Sequence, residues 1–410
     1  MNKLKNYCEY ITDGEHGSVT WDLNGSAYLL SAKNLVNGKI VITPDDRKMS
    51  DKDFSRIRMR TKLETGDVVL STTGTIGNVA IIGNCDNYDF NRDVGIFKCK
   101  QTCLYPEYLY YFFLRPETKK LFQRISKGAT QKHLYLSDFD EMIVDFPDIT
   151  KQIKYVKILK DIDTKIENNN AICSDLESMA KLLYDYWFVQ FDFPDENGKP
   201  YKSSGGKMVW NETLKREIPE GWDVRSISDI ATLMTNSVIP DGNNSYYHYS
   251  IPAYDEGIMP KNENGDTIAS NKYKVPEKCI LVSKLNPQFK RIWFVINADE
   301  NAICSTEFLP LVPKNDDINY LFGLLNSDAF SVHLQQKASS STGSRKRIDP
   351  ENCMTFTFAH NNQSARMFDE KVNAIYKKIN EIRAENQQLA ELRDFLLPML
   401  MNGQVKIRES

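Results

Sequence analysis

Leu159-Lys-Asp-Ile-Asp-Thr-Lys-Ile-Glu-Asn-Asn-Asn-Ala-Ile-Cys-Ser-Asp-Leu-Glu-Ser-Met-Ala-Lys-Leu-Leu-Tyr-Asp-Tyr-Trp187 carries the strongest periodicity in the chain. Alternating steps of three and four from Leu159 land on Ile162, Ile166, Asn169, Cys173, Leu176, Ala180, Leu183 and Trp187. An apolar period of about 3.5 residues held this long predicts a coiled-coil helix rather than an ordinary surface helix. The same stepping recurs at Phe368, Val372, Ile375, Ile379, Ile382, Asn386, Leu389, Arg393 and Leu396. Each seam holds one internal Asn, Asn169 or Asn386, a residue that fixes coiled-coil register when buried. The first helix runs away from the N-terminal part of the chain and the second must return, so an intramolecular antiparallel pair is the economical arrangement. About 38 residues at 1.5 Å each give a strut of roughly 57 Å. Pro194 marks the stop beyond the first helix, and Pro398 with Asn402-Gly403 the stop of the second.

What precedes each helix also repeats. Lys3 to Ile11 resembles Val224 to Ala231. Short apolar runs broken by Gly, Asn, Asp and Pro then predict many short strands, among them Asp67–Ser71 and Asn78–Ile82, and Cys279–Ser283 and Ile292–Ile296. An aromatic, helical segment follows in each half, Pro106–Leu114 and Ile318–Leu325. A small, polar, basic loop comes next, Lys127-Gly-Ala-Thr-Gln-Lys-His-Leu134 and Ser341-Thr-Gly-Ser-Arg-Lys-Arg-Ile348. The near-constant offset between these landmarks predicts an internal duplication with little identity between the halves.

Composition narrows the function. At 410 residues the chain has room for two or three domains, and 41% hydrophobic with 26% charged residues excludes wholesale disorder. No apolar run reaches membrane-span length, and Met1 to Gly17 has no apolar core of a secretory signal. Eight scattered cysteines without a Cys-x-x-Cys read as reduced thiols of a cytoplasmic protein. A net charge of −3 excludes a generally basic nucleic-acid coat, so DNA binding would come from local patches. Catalytic motifs are missing. Gly206-Lys207 does not complete a phosphate loop, and no Gly-x-Gly-x-x-Gly follows a strand. Neither an Asn/Asp-Pro-Pro-Tyr/Phe motif nor a Pro-Asp then Glu-x-Lys nuclease pattern occurs. Asp13-Gly-Glu-His-Gly17 reads as a turn rather than a metal site, and Cys99 with Cys103 lacks the partners of a zinc site. Gly205-Gly206 reads as a flexible connector. The alternation Trp187, Val189, Phe191, Phe193 predicts an extended, packed segment.

Three segments carry a family resemblance. Tyr184-Asp-Tyr-Trp-Phe-Val-Gln-Phe-Asp-Phe-Pro-Asp-Glu-Asn-Gly-Lys-Pro-Tyr-Lys-Ser-Ser-Gly-Gly-Lys207, continued by Met208-Val-Trp-Asn-Glu and Ile218-Pro-Glu-Gly-Trp222, resembles the central conserved region of type I restriction–modification specificity (S) subunits. Leu392-Arg-Asp-Phe-Leu-Leu-Pro-Met-Leu-Met-Asn-Gly-Gln-Val405 is similar to the terminal conserved region. Gly66-Asp-Val-Val-Leu-Ser with Gly74-Thr-Ile-Gly-Asn78 is similar to a motif of the family's target recognition domains. The second half departs from it, with Leu285-Asn-Pro-Gln-Phe-Lys290 where the first has Gly74-Thr-Ile-Gly.

The resemblance implies an α+β chain: two similar α/β target recognition domains separated by a long antiparallel two-helix coiled coil. The expected layout is a first target recognition domain over 1–148, a central conserved helix over 149–187 and a linker over 188–218. A second target recognition domain over 219–362, a C-terminal conserved helix over 363–402 and a tail over 403–410 complete it. It further implies a non-catalytic subunit that selects a bipartite site in double-stranded DNA, one half-site per domain, without membrane attachment. The helices would dock two methyltransferase (M) subunits, which in turn bring restriction (R) subunits. S-adenosylmethionine, ATP and Mg²⁺ would belong to those partners, and this chain would bind no cofactor. Two other readings stay open: the recognition part of a self-contained restriction–methylation enzyme, and a scaffold or anti-restriction decoy that binds M subunits without reading DNA.

Within that reading, phosphate contacts give affinity and base edges give specificity. The phosphate candidates are the loops Gly128, Thr130, Gln131, Lys132 and His133, and Gly343, Ser344, Arg345, Lys346 and Arg347, where small residues admit the backbone and cations release counterions. The base-reading candidates in the first half are Ser31, Lys33, Asn34, Thr72, Thr73, Asn91 and Arg92. In the second half they are Tyr246, Tyr247, His248, Lys284, Asn286, Gln288 and Lys290, each with a structural role as the alternative.

Overall fold

A computed structural model describes residues 2–128, 132–339 and 346–404. The chain divides into two compact units, Met1–Lys165 with Leu389–Ser410, and Ile166–Gln388.

In the first unit, Asn2–Lys3 pairs antiparallel with Ile143–Val144. The unit's principal strands are β1 (Cys8–Asp13), β2 (Ala27–Leu30), β3 (Val68–Ser71), β4 (Val79–Ile81), β5 (Tyr88–Phe90) and β6 (Val94–Cys99). An antiparallel sheet has the order β1-β6-β3-β4, while β2 and β5 pair in parallel beside Lys48–Met49 in a second sheet. The run Val68–Leu70 is apolar throughout because its sheet is covered on both faces. Successive side chains of a strand point to opposite faces. Val68 and Leu70 therefore join a core with Phe97, Phe113 and Phe139, and Val69 joins another with Phe90, Val94 and Ile96. Helices α1 (Pro106–Leu114) and α2 (Pro116–Ile125) cover the first of these faces, each opened by a proline at its first helical position. Pro116 holds Arg115 out of the helical region and so separates the two.

The second unit repeats the plan. Asp223–Ser226 pairs antiparallel with Thr357–His360. Its principal strands are β7 (Ala231–Leu233), β8 (Ser245–Tyr249), β9 (Cys279–Ser283), β10 (Ile292–Val295), β11 (Ala302–Ser305) and β12 (Phe308–Pro313). The order β7-β12-β9-β10 matches that of the first unit, and β8 and β11 again pair in parallel, here within a five-stranded sheet. The same alternation divides Ile280 and Val282 from Cys279 and Leu281 into separate cores.

The two predicted long helices form. α3 (Ile149–Tyr184) has 36 residues. After α4 (Ile318–Leu325) and α5 (Asp328–Lys337) comes α6 (Asn362–Met401), with 40. They run antiparallel. In the second unit Asn169 Nδ2 donates to Asn386 Oδ1 (2.8 Å) and to Glu385 Oε2 (2.8 Å), and Asn386 Nδ2 donates to Asn170 Oδ1 (2.9 Å). Farther along, Glu177 meets Arg383. In the first unit Arg393 Nη1 meets Asp163 Oδ1 (3.1 Å), and the Tyr111 hydroxyl donates to Asp163 Oδ2 (2.6 Å). Asn169 is buried and engaged with its seam partner.

Three expectations need correction. Pro398 lies inside α6 rather than ending it, three residues before the last helical residue Met401; its missing N–H costs the helix one backbone bond. Gly403, at φ +66°, follows the end of the helix. The aromatic stretch after α3 is not extended: Asp185–Val189 is a π-helical turn, and Tyr184, Trp187 and Phe188 pack with Phe368. Gly205-Gly206 is not a free connector, since the Gly206 N–H donates to the Tyr201 carbonyl (2.8 Å) and Phe193 stacks on Tyr201 at 4.8 Å. All eight cysteines are free thiols; seven are buried and Cys103 is partly exposed.

Candidate nucleic-acid interface

β3 ends at Ser71, and the backbone beyond it ties three segments together. The Thr72 N–H donates to the Asp93 carbonyl (2.8 Å), and the Leu134 N–H to the Thr72 carbonyl (2.9 Å). Lys127 and His133 exchange backbone bonds (3.0 and 2.8 Å), which closes the neck of the basic loop between them. Thr73 Oγ1 lies 2.6 Å from His133 Nδ1, and the His133 ring meets Tyr135 edge-on at 4.7 Å. A hollow of about 810 Å³ opens over this junction, lined by Asp13, His16, Thr73, Arg92, Asp93 and His133 among others. Asn91 lines it too, and its Nδ2 donates to Asp93 Oδ2 (2.9 Å).

The second unit has the same junction. The Lys284 N–H donates to the Glu307 carbonyl (2.9 Å), and the Ile348 N–H to the Lys284 carbonyl (3.0 Å). Ser339 and Arg347 exchange backbone bonds (3.0 and 2.8 Å) and close the neck of the second basic loop. Arg347 grips Glu307 with two nitrogens, Nη2 to Oε1 at 2.9 Å and Nε to Oε2 at 3.3 Å. The hydrogen bond from this pairing pushes the Arg347 pKa up. Gly74 at φ +73° and Asn286 at φ +51° both take the left-handed conformation three residues after their sheet strands end. The departure of Leu285-Asn-Pro from the Gly-Thr-Ile-Gly pattern therefore keeps the backbone, since Asn is the residue next most tolerant of that region after Gly.

Thr73, Asn91, Arg92 and His133 are brought together around the hollow, and Lys132 is exposed beside them. Gly128 takes φ +120°, which favours glycine. Lys346 and Gln288 are exposed, and the Lys346 N–H donates to Asn286 Oδ1 (3.1 Å). Thr130, Gln131, Gly343, Ser344 and Arg345 lie outside the described residues.

Other candidates have structural work that the sequence conceals. Asn34 is 1% exposed, and both of its amide hydrogens are engaged, by the Val41 carbonyl (2.8 Å) and Asp46 Oδ2 (2.7 Å), while Oδ1 accepts from the Ser31 N–H. It braces a loop from a buried position. Lys33 bonds Asp46 Oδ1 at 2.8 Å. Burial alone would raise the Asp46 pKa, but hydrogen bonds from Lys33, Thr43 and Asn34 bring it down to about 2. Thr72 is 2% exposed, so the junction uses its backbone rather than its hydroxyl. Lys284 likewise serves through its backbone, with its side chain half-buried. The Lys290 ammonium donates to the Asn326 carbonyl just beyond the C-terminal end of α4, where helix carbonyls favour a cation. The residue as a whole is exposed, and partial desolvation of the ammonium lowers its pKa. Tyr246 is buried, Tyr247 exposed, and His248 Nδ1 lies 2.6 Å from Glu263 Oε2.

The sequence reading missed Asp93, Glu307 and Tyr135. Asp93 follows Asn91-Arg92 directly, and that adjacency was its only signal. His16, set aside as a turn residue, lies 2.7 Å from Asp13 Oδ2 at the rim. Among the described residues no cluster of His, Cys, Asp and Glu is suited to hold a metal, and no helix is long and apolar enough to cross a membrane.

The family model described as type I restriction modification DNA specificity domain matches residues 21–178 and 219–351. The chain is 25% identical to the type I restriction enzyme MjaIX specificity subunit of Methanocaldococcus jannaschii, over 96% of this chain and 88% of that one. It is 21% identical to the HindI specificity subunit of Haemophilus influenzae, over 84% and 87%. The fold is similar to the crystal structure of the type I restriction–modification S subunit from M. genitalium, with a TM-score of 0.54 and 13% identity, covering 99% of this chain and 96% of the other.

Proposed function

Because the chain belongs to the type I restriction–modification DNA specificity family, we propose that each of its two units reads one half of a bipartite DNA site on behalf of subunits that carry the chemistry. The observation that supports this best is the junction repeated in both units, where a polar hollow or a paired arginine sits beside an exposed lysine of a basic loop. Lysines of the loops contact phosphates and fix position, while neighbouring side chains face base edges. Two modest contacts joined in one chain act as one strong contact, because the second becomes intramolecular. The separation of the half-sites follows the length of the helical seam.

The same helices dock the methyltransferase subunits. Large apolar side chains stay outside the seam: Ile172, Met179 and Leu182 on α3 in the second unit, and Leu392 and Phe395 on α6 in the first. Residues 172, 179 and 182 share one helix face. Exposed apolar stripes of this kind mark protein–protein contact. S-adenosylmethionine, ATP and Mg²⁺ act in the partner subunits, and restriction subunits join through the methyltransferases.

Methylome sequencing of a host with and without the chain tests the proposal. Adenine methylation at one bipartite motif should appear only with the chain, and purified chain alone should transfer no methyl group. Methylation by the isolated chain, or a host methylome indifferent to it, refutes the reading.

A further inference from the structure

The two junctions share their backbone bonds and differ in their side chains. The hydrogen bonds themselves set the correspondence: Thr72 with Lys284, Asp93 with Glu307, and the loop necks Lys127–His133 with Ser339–Arg347. Position by position, Lys132 then matches Lys346, and the next residue is His133 in one unit and Arg347 in the other. A phosphate is the same chemical group at every base pair, so a phosphate contact can use one residue type in both units. A base contact cannot, if the two half-sites differ. Lysine is retained at the first position of each pair and the second diverges.

We propose that His133 and Arg347 are the equivalent base-reading residues of the two units, which removes them from the phosphate-binding set expected from sequence. The inference rests on the function proposed above. Each side chain is held by a neighbour at the junction, His133 Nδ1 by Thr73 Oγ1 at 2.6 Å and Arg347 by the two oxygens of Glu307. A reading group fixed in this way loses little freedom on binding. With Nδ1 engaged, Nε2 is the polar atom that the His133 ring can offer to a purine. With Nε and Nη2 on Glu307, Arg347 keeps Nη1 and the second hydrogen of Nη2 for an acceptor pair such as guanine O6 and N7. The half-site read by the second unit therefore contains a guanine at the position that Arg347 faces.

The test uses the full chain assembled with its methyltransferase subunits, on duplexes varied one base pair at a time in both half-sites, at two salt concentrations. Arg347→Lys keeps the charge and removes the planar fork. It should lower preference at one base pair of one half-site by roughly tenfold or more, leaving the other half-site and the salt dependence unchanged. His133→Gln should do the same in the opposite half-site. Arg347→Gln, with a melting curve for each variant, separates a reading defect from a folding one. If Arg347→Lys retains every wild-type preference, or both half-sites weaken together, the inference is overturned. Wild-type complex without preference at any base pair would instead overturn the specificity function itself.

Discussion

A lysine that recurs at one backbone position, where the junction side chains around it differ between the two units, is suited to a task that does not vary with sequence, as the proposed phosphate contact requires. Lys132→Ala and Lys346→Ala should each weaken binding of the assembled complex about equally on cognate and scrambled duplexes. Each should also flatten the plot of log affinity against log salt by about one unit. A salt titration on both duplexes checks this; an unchanged slope with lost discrimination would make these lysines readers. Asp46 gives a second expectation. Its folded pKa, about 2, lies below the ordinary 3.8, so its contribution is complete above about pH 4 and is lost as pH falls towards 2. Asp46→Asn should cost about 1–3 kcal/mol at pH 7 and flatten the acid limb between pH 4 and 2, read by thermal melts. The residue scale is where the sequence was least legible. Asn34 has the chemistry of a DNA reader, but whether a polar side chain faces out depends on loops whose course no local pattern encodes. Asn34 is enclosed by Val41 and Asp46, several residues away.

At the scale of elements, far more was readable, because periodicity is a property of the helix or strand itself. The seams of α3 and α6 follow the stepping of threes and fours, with Leu159, Asn169, Cys173 and Ala180 buried on one and Phe368, Val372, Ile379 and Ile382 on the other. Continuous apolar runs such as Cys279–Val282 became sheet strands covered on both faces. The π-helical turn at Asp185–Val189 escaped notice since its aromatic alternation also fits a strand, and packing on Phe368 settled the matter. The Asn169–Asn386 bond makes its own prediction. Asn169→Leu alone leaves the Asn386 carbonyl oxygen without its donor and should cost about 1–2 kcal/mol in a melting experiment. Asn169→Leu with Asn386→Leu should recover that loss, since an apolar seam is stable but less particular about register. A single variant as stable as the parent would contradict the role.

The whole molecule shows the duplication in its strand order, first-sixth-third-fourth in both units, which survives where side-chain identity has faded. Function at this scale depends on the two seams together. One heptad inserted at matching points of α3 and α6 keeps register, and should change the spacer of the methylated motif while leaving both half-sites intact. A methylome with altered bases and an unaltered spacer would show that helix length does not set the spacing.

The distribution of thiols has a practical side. Only Cys103 is partly open in the native chain, while Cys8, Cys85 and Cys99 are enclosed in the first unit and Cys173, Cys279, Cys304 and Cys353 in the second. A maleimide should therefore modify one cysteine quickly in native protein and all eight in denaturant. Labelling in graded denaturant, followed by peptide mass mapping, should report which half of the chain opens first without any engineered probe. Because Cys103 lies outside both junctions, a dye placed there would leave the proposed reading surface untouched.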